Sequence, residues 1–196
     1  MKDAYIGIDP GKAGFITIFK DGRFSFYAMP EHKVETGKIS KTGRALMKSE
    51  FHEGGFRDLI ITMAKELKGY KIFAAIEEVG GRQGWSAQNN FTFGHTAGLL
   101  KMLILMLDAE VTMVRPQKWQ AEMYRDFEKV KVPSSTGKTM VHDTKATSAI
   151  VAKALGPDID FRKTERAKKD DDNKTDSFLV CLYLYRLLNR QGRVAA

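Results

Sequence analysis

The sequence predicts an α/β fold whose five-stranded mixed sheet has three antiparallel strands followed by parallel strands, with helices flanking the sheet. Three consecutive segments of alternating apolar residues lie between residues 4 and 29. Beyond residue 55, helix-spaced and strand-like apolar patterns alternate along the chain. The 196 residues, of which 43% are hydrophobic, are enough for a substantial core, and a single domain over residues 1–196 is expected.

The first three predicted strands follow one another closely. Residues 4–8 form an apolar run that ends in Asp9 and a Pro-Gly turn. Residues 14–20 resume the alternation, and an Asp-Gly pair, which is typical of hairpins, separates them from a third alternating segment at residues 23–29. Together these segments predict an antiparallel meander.

The next part of the chain predicts an irregular segment, a helix and a second buried strand. Residues 30–55 carry charges and glycines with little apolar periodicity, so they are expected to be an irregular excursion. Apolar residues between positions 56 and 67 have helical spacing. The apolar run at residues 71–79 predicts a buried strand, and residues 80–90 predict a loop after it.

The second half of the chain predicts mainly helices. Residues 91–107 are mostly apolar and predict a long helix, and residues 110–114 predict a short fifth strand. Residues 126–142 are expected to be a mobile basic connection. A helix is predicted over residues 144–155, with Asp143 as its N-cap, and a last helix follows the acidic cluster near residue 170.

Composition indicates a basic protein with an anionic partner. The net charge is +8 and the isoelectric point is near 9.5, which favours nucleic acid over a membrane because no strongly basic amphipathic helix stands out. No targeting signal and no apolar stretch of membrane-spanning length is visible, so a soluble protein of a cytoplasm, bacterial or phage-infected, is expected. The single cysteine, Cys181, lies in an apolar run and is expected to be a buried thiol.

Two site classes are excluded by their spacing. The sequence STGKT at residues 135–139 resembles the end of a phosphate-binding loop, but the required glycine is replaced by Val132 and no strand precedes it. The four histidines are scattered without ligand spacing or a cysteine partner, which argues against a zinc site.

Acidic residues occur where the buried elements begin or end. Asp9 ends the first strand, and it either caps the following turn or binds a cation. Glu77 and Glu78 end the second buried strand and point to opposite faces, so only one of them can share a given ligand. Acids at the start of the last helix complement its dipole, but Asp172 and Asp176 are four residues apart on one face, where like charges repel unless a cation lies between them.

An oxygen-only set of carboxylates is the donor type that hard divalent cations prefer. Mg²⁺ is held by a few carboxylates together with water and substrate phosphate. Such an arrangement suits two metal ions about 4 Å apart, which activate a water and stabilise the leaving oxygen in phosphodiester hydrolysis. The acids therefore predict a two-metal site with two Mg²⁺ ions, which Mn²⁺ is expected to replace.

Several segments, in order, resemble the RuvC-like Holliday-junction resolvases of the ribonuclease H fold, particularly the bacterial and phage members. The segments are GIDPG (7–11), AAIEEV (74–79), VRPQKWQ (114–120), TKATSAIVAKALGPDIDF (144–161) and KKDDDNKTDSFLVCLYLY (168–185). The resemblance covers nearly the whole chain except residues 30–55 and parts of 121–142. GIDPG alone is weakly specific, but the ordered set is strong.

The resemblance implies a set of metal ligands in this chain. The matching catalytic and metal-binding positions are Asp9, Glu77, Asp172 and Asp176. Asp171 remains the alternative to Asp172, because the histidine and Asp-Gly that phage relatives tend to have here are replaced by Asp171, Asp172 and Asn173. The resemblance also implies a homodimer, which places two sites against a two-fold symmetric junction.

Contacts to DNA are expected in two segments. Gly80 and Gly81 stand where family members often have an aromatic wedge, so Trp85 is the candidate for stacking on a base at the crossover, with Arg82 beside it. A packed loop anchor is the alternative role for Trp85. Lysines and arginines of residues 162–169, among them Lys168 and Lys169, are candidates for holding phosphates, with a solvated basic face as the alternative.

Three functions remain in competition at the level of the sequence. The leading hypothesis is a metal-dependent, structure-selective DNA endonuclease that cleaves four-way junctions in recombination, repair or phage DNA processing. The first alternative is a catalytically inert nucleic-acid-binding module of the same fold. The second is an ATP-binding protein of the actin and sugar-kinase superfamily, which needs two such domains and is therefore disfavoured by the length of 196 residues. The apolar helix at residues 91–107, with Gly94 and Gly98 four residues apart, is the expected dimer interface.

Overall fold

The structure is a computed structural model, and it describes residues 2–11, 13–78, 80–81, 84 and 86–190, without the side chain of Leu103. In chain order the elements are β1 (Lys2–Ile8), β2 (Phe15–Lys20), β3 (Arg23–Ala28), β4 (Glu31–Ile39), β5 (Ala45–Phe51), α1 (Glu53–Glu66), β6 (Tyr70–Glu77), α2 (Ala87–Leu105), β7 (Glu110–Val114), α3 (Pro116–Met123), β8 (Lys131–Pro133), β9 (Met140–His142), α4 (Thr144–Leu155) and α5 (Asp172–Arg190).

The central sheet has five strands in the order β3-β2-β1-β6-β7. β1 pairs antiparallel with β2 and β2 antiparallel with β3, whereas β6 and β7 both run parallel to β1. In the described part of the chain, five helices, α1 to α5, accompany the sheet. The predicted fold class, a mixed sheet with an antiparallel meander followed by parallel strands, is therefore confirmed.

Alternating side chains of the central strands build two cores on opposite faces of the sheet. On β1, Ala4, Ile6 and Ile8 pack with α1 and α2, whereas Tyr5 packs with α3, α4 and α5. Strands that are buried on both faces read as continuous apolar runs, which is why β1 and β6 are recognisable in the sequence. None of the helices in the described part of the chain is long and apolar enough to cross a membrane.

Helix α5 approaches the sheet most closely at Gly7. A Cβ atom at this position would lie 2.3 Å from the backbone nitrogen of Cys181 and 2.4 Å from the carbonyl oxygen of Ser177. Only glycine leaves space for this contact between helix and strand backbones. The hydroxyls of Thr17 and Ser177 share a buried 2.8 Å hydrogen bond beside it, so α5 is fixed against both β1 and β2.

Two segments that were expected to lack regular structure contain hairpins instead. Residues 30–55 hold the antiparallel pair β4–β5, and residues 126–142 hold the short pair β8–β9. The prediction of an irregular excursion at residues 30–55 was therefore wrong, and the basic connection predicted at residues 126–142 contains a short hairpin. Most side chains of both hairpins are exposed, so neither has the apolar alternation that marks a half-buried strand.

The ends of the helices follow the chemistry of their caps. Asp143 caps α4 as predicted, because its carboxylate accepts a 3.0 Å hydrogen bond from the backbone N–H of Ala146. The predicted loop at 80–90 ends early, since Ser86 caps α2 and the helix begins at Ala87. Helix α3 begins at Pro116, a residue that suits the first turn of a helix as well as the end of a strand.

Candidate functional site

The first two predicted ligands lie side by side at one edge of the sheet. In the parallel pair of β1 and β6, Ile8 is opposite Ile76, and Asp9 and Glu77 are the next residues of the two strands. Asp9 is four residues after Tyr5, and Glu77 is four residues after Phe73. Because side chains alternate between the two faces of a strand, both acids point to the face of Tyr5 and Phe73, which α5 covers. Two carboxylates at the carboxyl ends of adjacent parallel strands are thus aimed toward the same helix.

The neighbouring Glu78 has a different environment. Its carboxylate forms an ion pair with Arg115, with 3.0 Å between Nε and Oε2, at the exposed edge of the sheet. Glu77 instead accepts a 3.4 Å hydrogen bond from the indole N–H of the buried Trp119. Of the two adjacent acids, Glu77 is therefore the one that faces α5.

Asp176 lies on α5, one residue before the Ser177 that fixes this helix against the sheet. Its Oδ1 atom is buried and has no hydrogen-bond partner among the described residues. Burial raises the pKa of Asp176 to about 7, and the nearby charges of Glu77 and Asp172 act in the same direction. A hydrogen bond with Ser148 and the charge of Lys145 favour the ionised form but do not offset these effects.

The acidic cluster before α5 divides into three roles. Asp170 pairs with Lys153 at 2.7 Å. Asp171 caps the helix, because its Oδ1 accepts hydrogen bonds from the backbone N–H groups of Asn173 and Lys174. Asp172 is the first residue of α5, and its charge is among those that act on Asp176. Asp171 is thus used as a cap, whereas Asp172 lies beside Asp176.

Lys145, which the sequence reasoning missed, lies among the predicted ligands. Its ammonium group donates a 2.9 Å hydrogen bond to Asp172. That bond and the charges of Asp172, Asp176 and Asp9 raise the pKa of Lys145. A lysine in the first turn of α4 carries no spacing signal in a chain with 32 lysines and arginines, so only the fold reveals its place.

A cavity of about 540 Å³ opens beside Asp9 and Glu77. Most of the described residues that line it are polar residues or glycines, including Glu78, Gly80, Gly81, Arg115, Gln117 and Asn173. The amide of Asn173 donates a 3.0 Å hydrogen bond to the carbonyl of Ala13, which ties the start of α5 to the turn after β1. Gln117 and Asn173 were not anticipated, because neither belongs to an acidic or basic pattern.

The donor set fits a hard divalent cation, although its side chains are not arranged as a closed cluster. Within the described residues, no group of three His, Cys, Asp or Glu side chains already has the proximity of a metal site. Asp172 is held by Lys145 and Glu77 by Trp119. Mg²⁺ takes oxygen ligands, and the Oδ1 atom of Asp176 is buried without a hydrogen-bond partner in the described part of the chain, so the residues fit this group.

The predicted DNA contacts are only partly visible. Arg82 and Trp85 lie outside the described residues. Lys168 and Lys169 are exposed in the segment before the acidic cluster, and in the described part of the chain neither forms an ion pair. Arg162 pairs with Asp160 in the same segment.

Helix α2 carries an apolar surface that faces solvent. Phe91 and Met102 are 70% and 61% exposed, and Met106 at the C-cap is 74% exposed. A Cβ atom at Gly94 or Gly98 would meet nothing within 4 Å, so both glycines also face open space. Exposed apolar surface of this kind is typical of interaction sites.

The structure is similar to those of known Holliday-junction resolvases. No protein-family profile and no curated protein sequence matches the chain. RuvC of Thermus thermophilus in complex with a Holliday junction substrate has a TM-score of 0.56 and 9% identity, over 97% of this chain and 96% of that one. A further structure of this RuvC has a TM-score of 0.49, 14% identity and 96% coverage of both chains. The yeast mitochondrial Holliday junction resolvase Ydc2 has a TM-score of 0.49 and 11% identity, over 96% of this chain and 80% of that one. The first of these matches shows that the chain has the fold of RuvC, the RuvC-like form of the ribonuclease H fold.

Proposed function

We propose that the protein is a Mg²⁺-dependent endonuclease that cleaves branched DNA such as four-way Holliday junctions. The observation that carries the proposal is the position of acidic residues at the ends of β1 and β6 and on α5, on one side of the sheet, with a buried Oδ1 atom of Asp176 that has no hydrogen-bond partner among the described residues. The basic net charge of +8 and the likeness to a RuvC bound to a junction support DNA as the substrate.

Asp9, Glu77, Asp172 and Asp176 would hold two Mg²⁺ ions in this proposal. The ions would supply Lewis-acid activation of a water and stabilisation of the charge that develops on the leaving oxygen. The protein's own residues perform the positioning: Trp119 orients Glu77 through its indole N–H, and the Thr17–Ser177 hydrogen bond fixes the turn of α5 that carries Asp176. Lys145 offsets the negative charge of Asp172 in the absence of a cation.

A catalytically inert nucleic-acid-binding module is the second candidate. The observation that favours it is the ion pair between Lys145 and Asp172, which neutralises one proposed ligand without a metal. The two candidates differ in a single measurement. A labelled synthetic four-way junction is incubated with the protein with and without Mg²⁺, beside a linear duplex of the same sequence. Paired cuts in the junction only with Mg²⁺ support the nuclease, whereas junction binding without cuts supports the inert module.

Loss of the dimer is expected when a charge is introduced on the apolar surface of α2. Met102 is the position to change, because its side chain lies on this surface and is 61% exposed. We expect Met102→Glu to sediment as a monomer and to convert paired cuts into single nicks, because one site then acts without its symmetry mate. A monomeric wild-type protein would contradict the proposed interface.

Trp85 is proposed to stack on a base at the crossover. Base stacking contributes roughly 1–3 kcal/mol, so Trp85→Ala should lower the affinity ratio of junction to duplex about tenfold or more. Metal-dependent cleavage should persist. If Trp85 only anchors its loop, the variant will have a lower melting temperature and an unchanged affinity ratio. Arg82, Lys168 and Lys169 are proposed phosphate contacts on the same grounds of charge.

A further inference from the structure

The β4–β5 hairpin, residues 31–51, is an exposed arm that the proposed chemistry does not use. It forms a two-stranded sheet of its own, separate from the central sheet. Its base is closed by a 2.9 Å hydrogen bond from the backbone N–H of His52 to the carbonyl of Pro30. Phe51 packs on Phe56 of α1 with 5.4 Å between ring centroids, so the base is anchored to the core. The nine residues of β4 correspond to about 30 Å of extended chain.

The outer part of the arm is strongly basic. Residues 36–49 contain Lys38, Lys41, Arg44 and Lys48 and no acid, so this segment contributes +4 of the net charge of +8. Lys48 pairs with Glu50 nearer the base. In the described structure Lys38, Lys41 and Arg44 are exposed and form no ion pair. Three unneutralised cations therefore surround the turn, next to Ile39, which is 72% exposed.

The arm leaves the sheet at the edge that carries the acidic site. β3 runs parallel to β1, because each is antiparallel to β2, and Ala28 at the end of β3 pairs with Phe15 at the start of β2. The backbone N–H of Asp9 bonds to the carbonyl of the same Phe15 at 3.1 Å. Two strand spacings separate β3 from β1, so Ala28, three residues before the arm begins, lies about 10 Å from Asp9.

The base of the arm also contacts the second basic segment of the protein. Glu31, the first residue of β4, pairs with Lys163 at 3.4 Å. Lys163 belongs to residues 162–169, which include the exposed Arg166, Lys168 and Lys169. The base of the arm therefore lies beside the basic segment that precedes α5.

From this arrangement we infer that the arm is a second DNA-binding element, which holds backbone phosphates of a duplex arm away from the scissile phosphate. Duplex DNA offers one negative charge per about 1.7 Å of axis, so the three cations around the turn of the arm can each contact a phosphate. The inference rests on the proposed function for the choice of DNA as the partner and of a branched substrate. An anionic membrane would also attract the charges, but the shared edge with the acidic site favours DNA.

The test compares two triple variants with equal changes in charge. The arm variant is Lys38→Gln, Lys41→Gln, Arg44→Gln. The control is Arg23→Gln, Lys65→Gln, Lys68→Gln, which removes two lysines and one arginine from exposed positions at the opposite edge of the sheet, where β3 begins and α1 ends. Affinity for a fluorescent four-way junction is measured by anisotropy in EDTA over about 50–200 mM salt, the range in which phosphate contacts change affinity strongly.

We expect the arm variant to bind the junction at least about tenfold more weakly. The negative slope of log K against log salt should become shallower by about 2–3, since each phosphate contact contributes about 0.9 to its magnitude. The control variant should keep the wild-type junction affinity and salt slope. Both variants should melt at the wild-type temperature, because all six substituted side chains are exposed. Equal losses in the two variants, or none in the arm variant, would overturn the inference.

Two further readouts separate this inference from neighbouring ones. Anionic phosphatidylserine vesicles are titrated in parallel, and a loss of vesicle binding with unchanged junction affinity in the arm variant would assign the arm to membranes and overturn it. Cleavage in Mg²⁺ is recorded independently for the wild type. If the wild type does not cut but the arm variant still loses DNA affinity, the proposed function fails while the inference about the arm stands.

Discussion

Replacing Asp176 by asparagine is expected to abolish Mg²⁺-dependent junction cleavage while leaving junction binding intact or tighter. The substitution removes the buried carboxylate whose Oδ1 has no partner in the described structure, and with it a charged ligand for the proposed cations. A loss of about 4 kcal/mol of transition-state stabilisation corresponds to a rate about 10³-fold lower. Binding persists because a neutral side chain no longer repels the scissile phosphate. Single-turnover cleavage and anisotropy titration on the same junction measure the two effects separately.

The matched control for this experiment is Asp170→Asn, six residues earlier in the chain. Asp170 is half-buried, forms an ion pair with the exposed Lys153 and is not one of the proposed ligands. We therefore expect cleavage within a few-fold of the wild type. Asp9→Asn should instead behave like Asp176→Asn, because Asp9 ends the strand beside Glu77. Full activity of either the Asp9 or the Asp176 variant would reject the proposed ligands.

The Asp176→Asn substitution is also expected to change how the free energy of unfolding of the metal-free protein depends on pH. The pKa of Asp176 is raised from an ordinary 3.8 to about 7 in the folded state. Between these values the folded protein holds a proton that the unfolded chain has released, so the free energy of unfolding falls as pH rises from about 4 to about 7. The asparagine variant lacks this titration. The free energy of unfolding is measured by urea unfolding in EDTA at about pH 5 and pH 8. Its decrease between the two pH values should be larger for the wild type than for the asparagine variant, by more than about 1 kcal/mol.

The elements that the sequence predicts well are those with a buried face. β1 and β6 lie in the middle of the sheet, and their apolar runs end in acids that the parallel pairing brings to one edge. Asp143 was recognisable because a cap has a local signature. The β4–β5 and β8–β9 hairpins were missed because most of their residues are exposed and carry no alternation.

The candidate site shows the same division between local and distant signals. Asp9 and Glu77 could be recognised because each ends an apolar run, and Asp172 and Asp176 because their spacing places like charges on one helical face. Lys145 and Trp119 could not, since their roles depend on where α4 and α3 pack against the sheet and α5. The first glycine of the GIDPG segment, Gly7, is needed for a reason that only the fold supplies, namely the close approach of α5 to β1.

Gly7→Ala is expected to be strongly destabilising and to inactivate the protein. The added Cβ would lie within 2.6 Å of three backbone atoms of α5, which cannot move as a flexible side chain would. Overpacking of this kind costs about 1–3 kcal/mol and occasionally more, and displacement of a whole helix belongs at the upper end. At about 2–4 °C per kcal/mol for a chain of this size, the melting temperature should fall by about 10 °C.

The loss of activity in Gly7→Ala should exceed what unfolding explains, because α5 carries Asp172 and Asp176 whereas β1 leads into Asp9. Moving the helix from the strand separates the proposed ligands even in molecules that remain folded. Cleavage is therefore measured well below the melting temperature, with circular dichroism on the same sample. Gly54→Ala is the control, since its Cβ would meet only His52, at 3.7 Å, in the first turn of α1, and a glycine-to-alanine change in a helix is favourable. If Gly7→Ala melts and cleaves like this control, α5 does not hold Asp176 against the end of β1, and the site proposed here loses its structural basis.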